Sequence, residues 1–484
     1  MGDQIAYCRS VATPIHFDDA RGAERRPQND GRTVPTVIND SEIRKAFASV
    51  EASPALVLAV SGGPDSMALM HLARRWATLA SRQAATITVA TVDHGLRPES
   101  AEEATFVKAH ARALGFEHVT LVWSGEKPSA GLQAAARRAR YALLTAQARV
   151  NGASLLTAHT RDDQAETLIM RLSRGSGVDG LSAIAPVSGR DGVRLVRPLL
   201  GFSKTRLTAY LRARHVPFVR DPSNENTAFE RVRLRLAMKA LANAGVSKAA
   251  LALSAARLGR SRAALDEAAE RFLDGFFRVS PLAHGEIDRE AFDALPDEIA
   301  LRVLARVLPL VGGRAEPPRM MRLERLLENL RSRNSEATLG GSLMIAAAGR
   351  LSFYREPGRM KPEPLFLEPR VAVLWDRRFL VSAPTAAACE GQVRPLGEPG
   401  WTAWRKERKQ LGLSAEANRL AALATPALWR VDKLLAAPVI SGEGYASAVP
   451  SVTAKLAPPL ARFLTRLPNT TSSALGKDTP IPYL

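Results

Sequence analysis

The chain reads as an α/β protein: a doubly wound parallel sheet, then a mostly helical stretch and a small α+β module. Three observations predict this. Short apolar runs alternate with amphipathic helical patterns between Pro54 and Ser173, the order that builds a parallel sheet with helices on both faces. Three polar motifs, SGGPDS, DHGLR and AHTRDD, each follow an apolar run and so fall at the sheet edge where such folds bind ligands. A Pro-rich break from Glu356 to Pro369 then precedes new strand patterns. The expected boundaries are a disordered extension over 1–45, the α/β domain over 46–240, a mostly helical domain over 241–356, the α+β module over 370–440 and a flexible Ser/Thr/Pro-rich tail over 441–484.

The elements follow in order. Ser41 to Ala52 suggests a short helix. Ala55 to Val60 is a buried strand, and Met67 opens an amphipathic helix that ends near Leu79. Between them, Ser61-Gly62-Gly63-Pro64-Asp65-Ser66 must turn sharply, which its glycines allow. Backbone N–H groups at a helix N-terminus favour an anion, and serine hydroxyls can donate to it. A carboxylate among such donors suits a cation shared with phosphates, so Asp65 suggests Mg²⁺; a Gly-rich turn with a Ser/Asp cap would carry the same residues. Ala85 to Val92 is the second strand, leading into Asp93, His94 and Arg97. Ser100 is placed as the N-cap of a helix that runs to Leu114 and stops at Gly115. His118 to Val122 is the third strand, Leu132 to Val150 a long helix and Ala153 to Thr157 the fourth strand. Asp162, Asp163 and Glu166 open the next helix, on one face and near its positive end, where they could hold Mg²⁺, take a proton from an amine, or simply cap the helix. Further helices are expected over Lys204–Arg214, Phe229–Leu241, 246–278, Glu290–Leu310 and Arg319–Leu330, with a hairpin over Leu339–Tyr354.

Composition narrows the function. With 46% hydrophobic and 24% charged residues, the 484-residue chain is globular and long enough for roughly two to four domains. A net charge of +19 asks for a polyanionic partner, nucleic acid before membrane, since a small anion cannot account for so wide an excess. The clusters Arg231/Arg235, Arg319/Arg322/Arg325 and Arg405/Lys406/Arg408/Lys409 each read alone as a solvated face; together with the net charge they fit a phosphate backbone, with Trp401 and Trp404 offering aromatic surface beside the last. The two cysteines, Cys8 and Cys389, form no CxxC or Cys/His cluster, which argues against a metal or redox site. No apolar run approaches the ~20 residues that span a bilayer, and the acidic N-terminus is no signal peptide, so a cytosolic protein without a membrane partner is expected.

The six-residue loop lacks the Lys of the common phosphate loop but resembles SGGxDS of the N-type ATP pyrophosphatases, which cleave ATP between the α- and β-phosphates to adenylate an oxygen. Four motifs sharpen the likeness. SGGPDS, Asp93-His94-Gly95-Leu96-Arg97, Arg137-Arg138-Ala139-Arg140-Tyr141 and His159 to Thr167 stand in the order and spacing of the tRNA(Ile)-lysidine synthetases (SGGxDS, DHxLR, RxxRY, HxxDDQxET). The match is good over residues 54–240, where Asp221-Pro222-Ser223-Asn224 and Arg231 to Arg235 resemble DxSN and RNxxR, with Val232 departing from the usual Asn.

The resemblance implies an adenine-nucleotide α-hydrolase type of fold and a two-step reaction. ATP adenylates C2 of the wobble cytidine in a tRNA(Ile) with a CAU anticodon; free L-lysine then displaces AMP. It implies ATP contacts from Ser61, Gly62, Gly63, Pro64, Asp65, Ser66, Asp93, His94 and Arg97, and Mg²⁺ on Asp65. Arg137 would aid pyrophosphate departure. Asp163, with Asp162 or Glu166 assisting, would hold lysine and take its proton, and Arg140, Arg231, Arg235, Arg319, Arg322, Arg405 and Lys406 would meet tRNA. The alternatives are a tRNA-thiolating enzyme of the same superfamily, which needs a cysteine or iron–sulfur cluster, and a non-catalytic RNA-binding protein. Oligomeric state stays open, a homodimer included.

Overall fold

The computed structural model describes residues 37–464 and the strand His16–Phe17, apart from short stretches at 84–85, 96–98, 126, 129, 221–229, 332–335, 348, 357, 359–362, 387–388, 411–416 and 441–451. The chain divides into two compact units, 1–262 and 263–484. Most of the expected 1–45 extension lies outside the described residues.

In the first unit, β1 (His16–Phe17) is followed by α1 (Asp40–Phe47). α1 starts inside the expected extension because Asn39 and Glu42 form a reciprocal capping box and Phe47 stacks on Trp76 with ring centroids 5.3 Å apart. Then come β2 (Ala55–Ala59), α2 (Pro64–Leu79), β3 (Ile87–Asp93), α3 (Glu99–Ala113), β4 (Glu117–Val122), α4 (Leu132–Val150), β5 (Ala153–Leu156) and α5 (Arg161–Leu172), the alternation read from the sequence. Ser100 lies inside α3 rather than at its cap, since the helix already begins at Glu99. The one-turn α6 (Val178–Leu181) leads to β6 (Val187–Arg190) and β7 (Val193–Val196), a hairpin the sequence reading missed. α7 (Lys204–Arg212), β8 (Val219–Arg220), α8 (Glu230–Asn243) and the 29-residue α9 (Lys248–Phe276) complete the series.

The sheet order is β4-β3-β2-β5-β7-β6, parallel except for the edge strand β6, and β1 pairs separately with β8. β2 is central and buried on both faces. Leu56 and Leu58 pack with α2 and α3, whereas Val57 and Ala59 pack with Tyr141, Leu144 and Ala148 of α4. Strand order reverses between β2 and β5, so a crevice opens beyond their carboxyl ends, where SGGPDS and AHTRDD emerge.

The second unit is less helical than expected. β9 (Phe277–Val279), β10 (Gly285–Asp288), α10 (Arg289–Asp293), α11 (Asp297–Val311), α12 (Met320–Arg331), β11 (Glu336–Leu339), β12 (Ser342–Ala347) and β13 (Arg350–Arg355) place a five-stranded antiparallel sheet, β11-β12-β13-β10-β9, behind two amphipathic helices. The expected Leu339–Tyr354 hairpin is the β12–β13 part of it. β14 (Leu365–Phe366), β15 (Val373–Trp375), β16 (Phe379–Ser382), β17 (Gln392–Pro395), α13 (Gly397–Gln410), α14 (Arg419–Ala422), β18 (Pro426–Arg430), β19 (Lys433–Ala436), β20 (Thr453–Leu456) and α15 (Pro458–Ala461) follow. One apolar core joins Val307 and Phe353 to Trp375, Phe379 and Phe463, so no domain break falls at 356–370. The tail assignment also needs correction from 452 onward. β20 pairs with β16, and Val452, Leu460 and Phe463 are buried. Among the described residues no helix is long and apolar enough to cross a membrane.

Candidate active site

The site is built from three helix N-termini. After β2 the chain turns at Gly62 with φ +81°, where a Cβ would also sit 3.2 Å from Val219 Cγ2. Conformation and space therefore both favour glycine there. Ser66 braces the turn: its hydroxyl donates to Gly63 O (2.9 Å) and accepts from the Ser61 N–H (3.1 Å). That bond uses one amide expected to face a ligand. Pro64 opens α2 with no N–H to lose, and the first intrahelical bond comes only from Met67 to Gly63. The amides of Asp65 and Ser66 thus have no acceptor within the helix.

α5 begins at the adjoining edge. Thr160 caps it, and Asp163 Oδ2 accepts from both the N–H and the hydroxyl of Thr160, each at 2.8 Å. Its other oxygen accepts from Lys204 Nζ at 3.1 Å, and the same ammonium lies 3.6 Å from Asp65 Oδ2. Lys204 opens α7, whose N-cap is Ser203, and its backbone N–H donates to Asp162 Oδ2 (2.9 Å). Asp162 also accepts from Lys248 Nζ (2.7 Å), and Glu166 accepts from Arg235 Nε (2.9 Å). Each of the three α5 carboxylates therefore has its own cation, drawn from α7, α8 or α9.

These contacts set protonation. Burial raises the Asp65 pKa to about 6, with Asp163 and Asp162 adding to the rise against the pull of Lys204. Burial also works to raise Asp163, but Lys204 and the Thr160 bonds hold it below its ordinary value. Burial works against the Lys204 charge, yet Asp163, Asp65 and Glu166 keep its pKa raised. His159, bonded to the Thr157 hydroxyl at 3.0 Å, is lowered to about 4, chiefly by burial, and is neutral near pH 7.

A cleft of about 410 Å³ joins these groups, lined by the Ser61, Gly63–Ser66, His159, Asp163, Lys204 and Arg235 positions, with Arg137, Arg140 and Tyr141 of α4 on one wall. Tyr141 is core: 5% of it is exposed, and the Arg137 and Arg190 guanidinium groups lie 5.2 and 4.2 Å from its ring centroid. Arg137 is exposed and Arg140 half-buried. Asp93 caps its own turn through the Gly95 N–H (2.8 Å), and His94 packs edge-on against Trp123; neither lines the cleft. Arg97 and 221–229 lie outside the described residues, and of Arg231 only its place in α8 is described. Arg235, assigned above to tRNA, lies in the cleft on Glu166. Arg319, Arg322, Arg405 and Lys406 are exposed on the second unit. Trp401 and Trp404 are not surface aromatics; they stack on each other at 5.1 Å and are 6% and 2% exposed, because their three-residue spacing points both inward. Lys204 and Lys248 were missed by sequence reading. Only the SK pair at a helix start could have hinted at either.

The residues fit a divalent cation at Asp65. Its Oδ1 is buried and has no hydrogen-bond partner, so a hard cation would satisfy it. Among the described residues no group of three or more His, Cys, Asp or Glu side chains could hold a metal alone, leaving phosphate oxygens and water as co-ligands.

A switch-point crevice with a glycine loop, an acidic residue at a helix N-terminus and a facing acid–base cluster defines a nucleotide-using enzyme, and residues 35–241 match the profile of the PP-loop domain. A tRNA(Ile)-lysidine synthase from Bradyrhizobium sp. (strain BTAi1) is 48% identical over 342 residues, covering 68% of this chain and 95% of its own. Another tRNA(Ile)-lysidine synthase, from Ruegeria pomeroyi, is 40% identical over 401 residues, covering 82% and 91%. The chain belongs to the tRNA(Ile)-lysidine synthase family and is an ATP-using ligase. A U34-tRNA thiolase from Methanococcus maripaludis shares 15% identity over 45% of this chain and 76% of its own at a TM-score of 0.39, a likeness too slight to bear on the reading.

Proposed function

We propose that this cleft carries out both steps of lysidine formation on a CAU-anticodon tRNA(Ile), with ATP and free L-lysine as co-substrates in the cytoplasm. The observation that carries the reading is the convergence, in one cleft, of the phosphate-accepting loop with Asp65 and of Asp163 at the start of α5, the two carboxylates sharing Lys204.

In the first step the Asp65 and Ser66 amides and the α2 dipole receive the ATP phosphates. Mg²⁺, held by Asp65, would neutralise the charge that gathers on pyrophosphate as it leaves. Arg137, exposed on the cleft wall, is placed to meet the same charge, and Arg140 to meet the tRNA backbone. In the second step the ε-amine of lysine attacks as the neutral form. Asp163, held ionised, suits the arriving ammonium as an anchor. Glu166 does not line the cleft and acts through Arg235, whose guanidinium it holds in the lining. Burial leaves His159 too weak a base, at about 4, to hold the proton that the amine sheds, which passes to solvent in the cleft. The exposed basic faces of α12 and α13 supply the phosphate contacts that hold tRNA.

The test is direct. Purified protein with ATP, Mg²⁺, labelled lysine and CAU-anticodon tRNA should yield AMP, pyrophosphate and lysine-labelled tRNA. Formation of AMP and pyrophosphate with no lysine label entering the tRNA would overturn it.

A further inference from the structure

The phosphate loop has no lysine of its own, and the structure supplies one from elsewhere. Lys204 Nζ stands 3.6 Å from Asp65, at the mouth of the loop, and 3.1 Å from Asp163. Its backbone is fixed: the N–H bonds Asp162, and Ser203 caps the helix it opens. Its side chain is not fixed to the same degree, being 31% exposed and lining an open cleft. A long flexible stem on a clamped Cα can redirect a point charge without moving the fold.

Two partners compete for that charge. Asp163 and Asp65 each carry one negative charge, whereas a nucleotide triphosphate brings several to the neighbouring amides. An ammonium within reach of both moves toward the greater charge density. When it does, Asp163 loses its cation while Thr160 still donates two hydrogen bonds to Oδ2. A charged carboxylate oxygen then faces the cleft where a second amine can arrive.

We propose that Lys204 is an internal placeholder for the lysine substrate: it covers Asp163 until nucleotide draws its ammonium to the phosphates, so that nucleotide binding opens the lysine site. The proposal rests on the lysidine-forming reading. It makes Lys204 a phosphate-contacting residue and makes binding ordered, nucleotide before lysine, which protects the amine site from filling before there is an adenylate to attack.

The experiment is calorimetric titration of lysine into the full-length protein, with and without Mg²⁺ and α,β-methylene-ATP, for the wild type, Lys204→Met, Lys204→Gln and Lys204→Arg. The wild type should bind lysine roughly tenfold more tightly with the analogue present. Lys204→Met and Lys204→Gln should bind lysine roughly threefold to tenfold more tightly than wild type without nucleotide, since the competing cation is gone. Their KM for ATP should rise, and Lys204→Arg should keep the nucleotide dependence. A gain in lysine affinity cannot come from misfolding. Unchanged or weaker nucleotide-free lysine binding in both neutral variants, with a wild type that lysinylates tRNA, overturns the placeholder alone. A wild type that never incorporates lysine overturns the underlying reading as well.

Discussion

Two clusters of paired carboxylates and cations, one in each unit, do different things. In the cleft, Asp65 and Asp163 share Lys204, with side chains 25%, 14% and 31% exposed, and Asp65 Oδ1 and Glu166 Oε2 are left without partners. In the second unit, Arg355 and Arg378 hold Asp376 at 3.0 and 2.8 Å, with side chains 4%, 1% and 7% exposed. Arg355 also donates to Gly341 O and Arg378 to Ala424 O, and no buried polar atom of the three is orphaned. Burial pushes the Arg378 pKa down to about 10 against the pull of Asp376, which still leaves it charged at neutral pH. Satisfied and sealed, that cluster ties β13 to the β15–β16 turn. The cleft cluster keeps unspent acceptors and a route to solvent, which is what a site that exchanges cations requires.

The comparison breaks most sharply at Asp65. Asp65→Asn removes the one loop charge that can hold a cation against pyrophosphate, so ATP-dependent adenylation should fall by about 10³-fold, while tRNA binding stays within a few-fold. The melting temperature should hold or rise, because a partly buried carboxylate with an orphaned oxygen is lost. ATP–pyrophosphate exchange and a thermal scan on the same variant decide it; near-normal exchange would put Asp65 with the structural cluster.

Asp376→Ala should show the reverse. Removing it leaves two buried guanidinium groups uncompensated, a loss of about 3–5 kcal/mol. For a unit of this size that lowers Tm by roughly 10 °C. Exchange chemistry measured well below the transition should be nearly unchanged. Calorimetry of the full chain checks this, and a Tm within a degree of wild type would show that the cluster holds nothing.

Asp163→Ala sits between these two. Adenylation should proceed while lysine transfer slows by about 10²-fold, since the amine loses its anchor. Trapped adenylate-tRNA in a single turnover is the expected signature, and normal lysine incorporation would remove Asp163 from the mechanism.

How much of this was legible depends on the range of the cause. The loop could be read because Gly62 at φ +81° and Pro64 at the first helical position are local demands. The parallel order could be read because β2 is apolar on both faces. The β6–β7 hairpin was missed although Asp191 and Gly192 both have positive φ, the Asp-Gly signature of a tight hairpin turn. Its apolar Val193, Leu195 and Val196 were too short a run to stand out. The last strand hid in a Ser/Thr/Pro-rich stretch, where Val452, Leu460 and Phe463 are widely spaced anchors. Lys204 and Lys248 were invisible for a different reason. Each is an ordinary lysine at a helix start, and only the fold brings it to a carboxylate far away in sequence.

The smallest effect separates the exposed basic faces from both clusters. Arg405, Lys406 and Lys409 of α13 are exposed, whereas Arg408 lies 5.3 Å from the Trp404 ring centroid and helps cover it. Reversing the first three to Glu and sparing Arg408 should therefore leave Tm unchanged. Each lost phosphate contact should flatten the salt dependence of tRNA binding by about 0.7 to 0.9 in log–log slope, with affinity falling roughly tenfold at moderate salt. ATP affinity should stay at the wild-type value, because these residues lie outside the lining of the cleft. Filter binding across a salt series reads both quantities. If the reversed variant binds tRNA with the wild-type slope, the charge on α13 serves solubility, and the next basic face to test is Arg319 just before α12 with Arg322 and Arg325 on it.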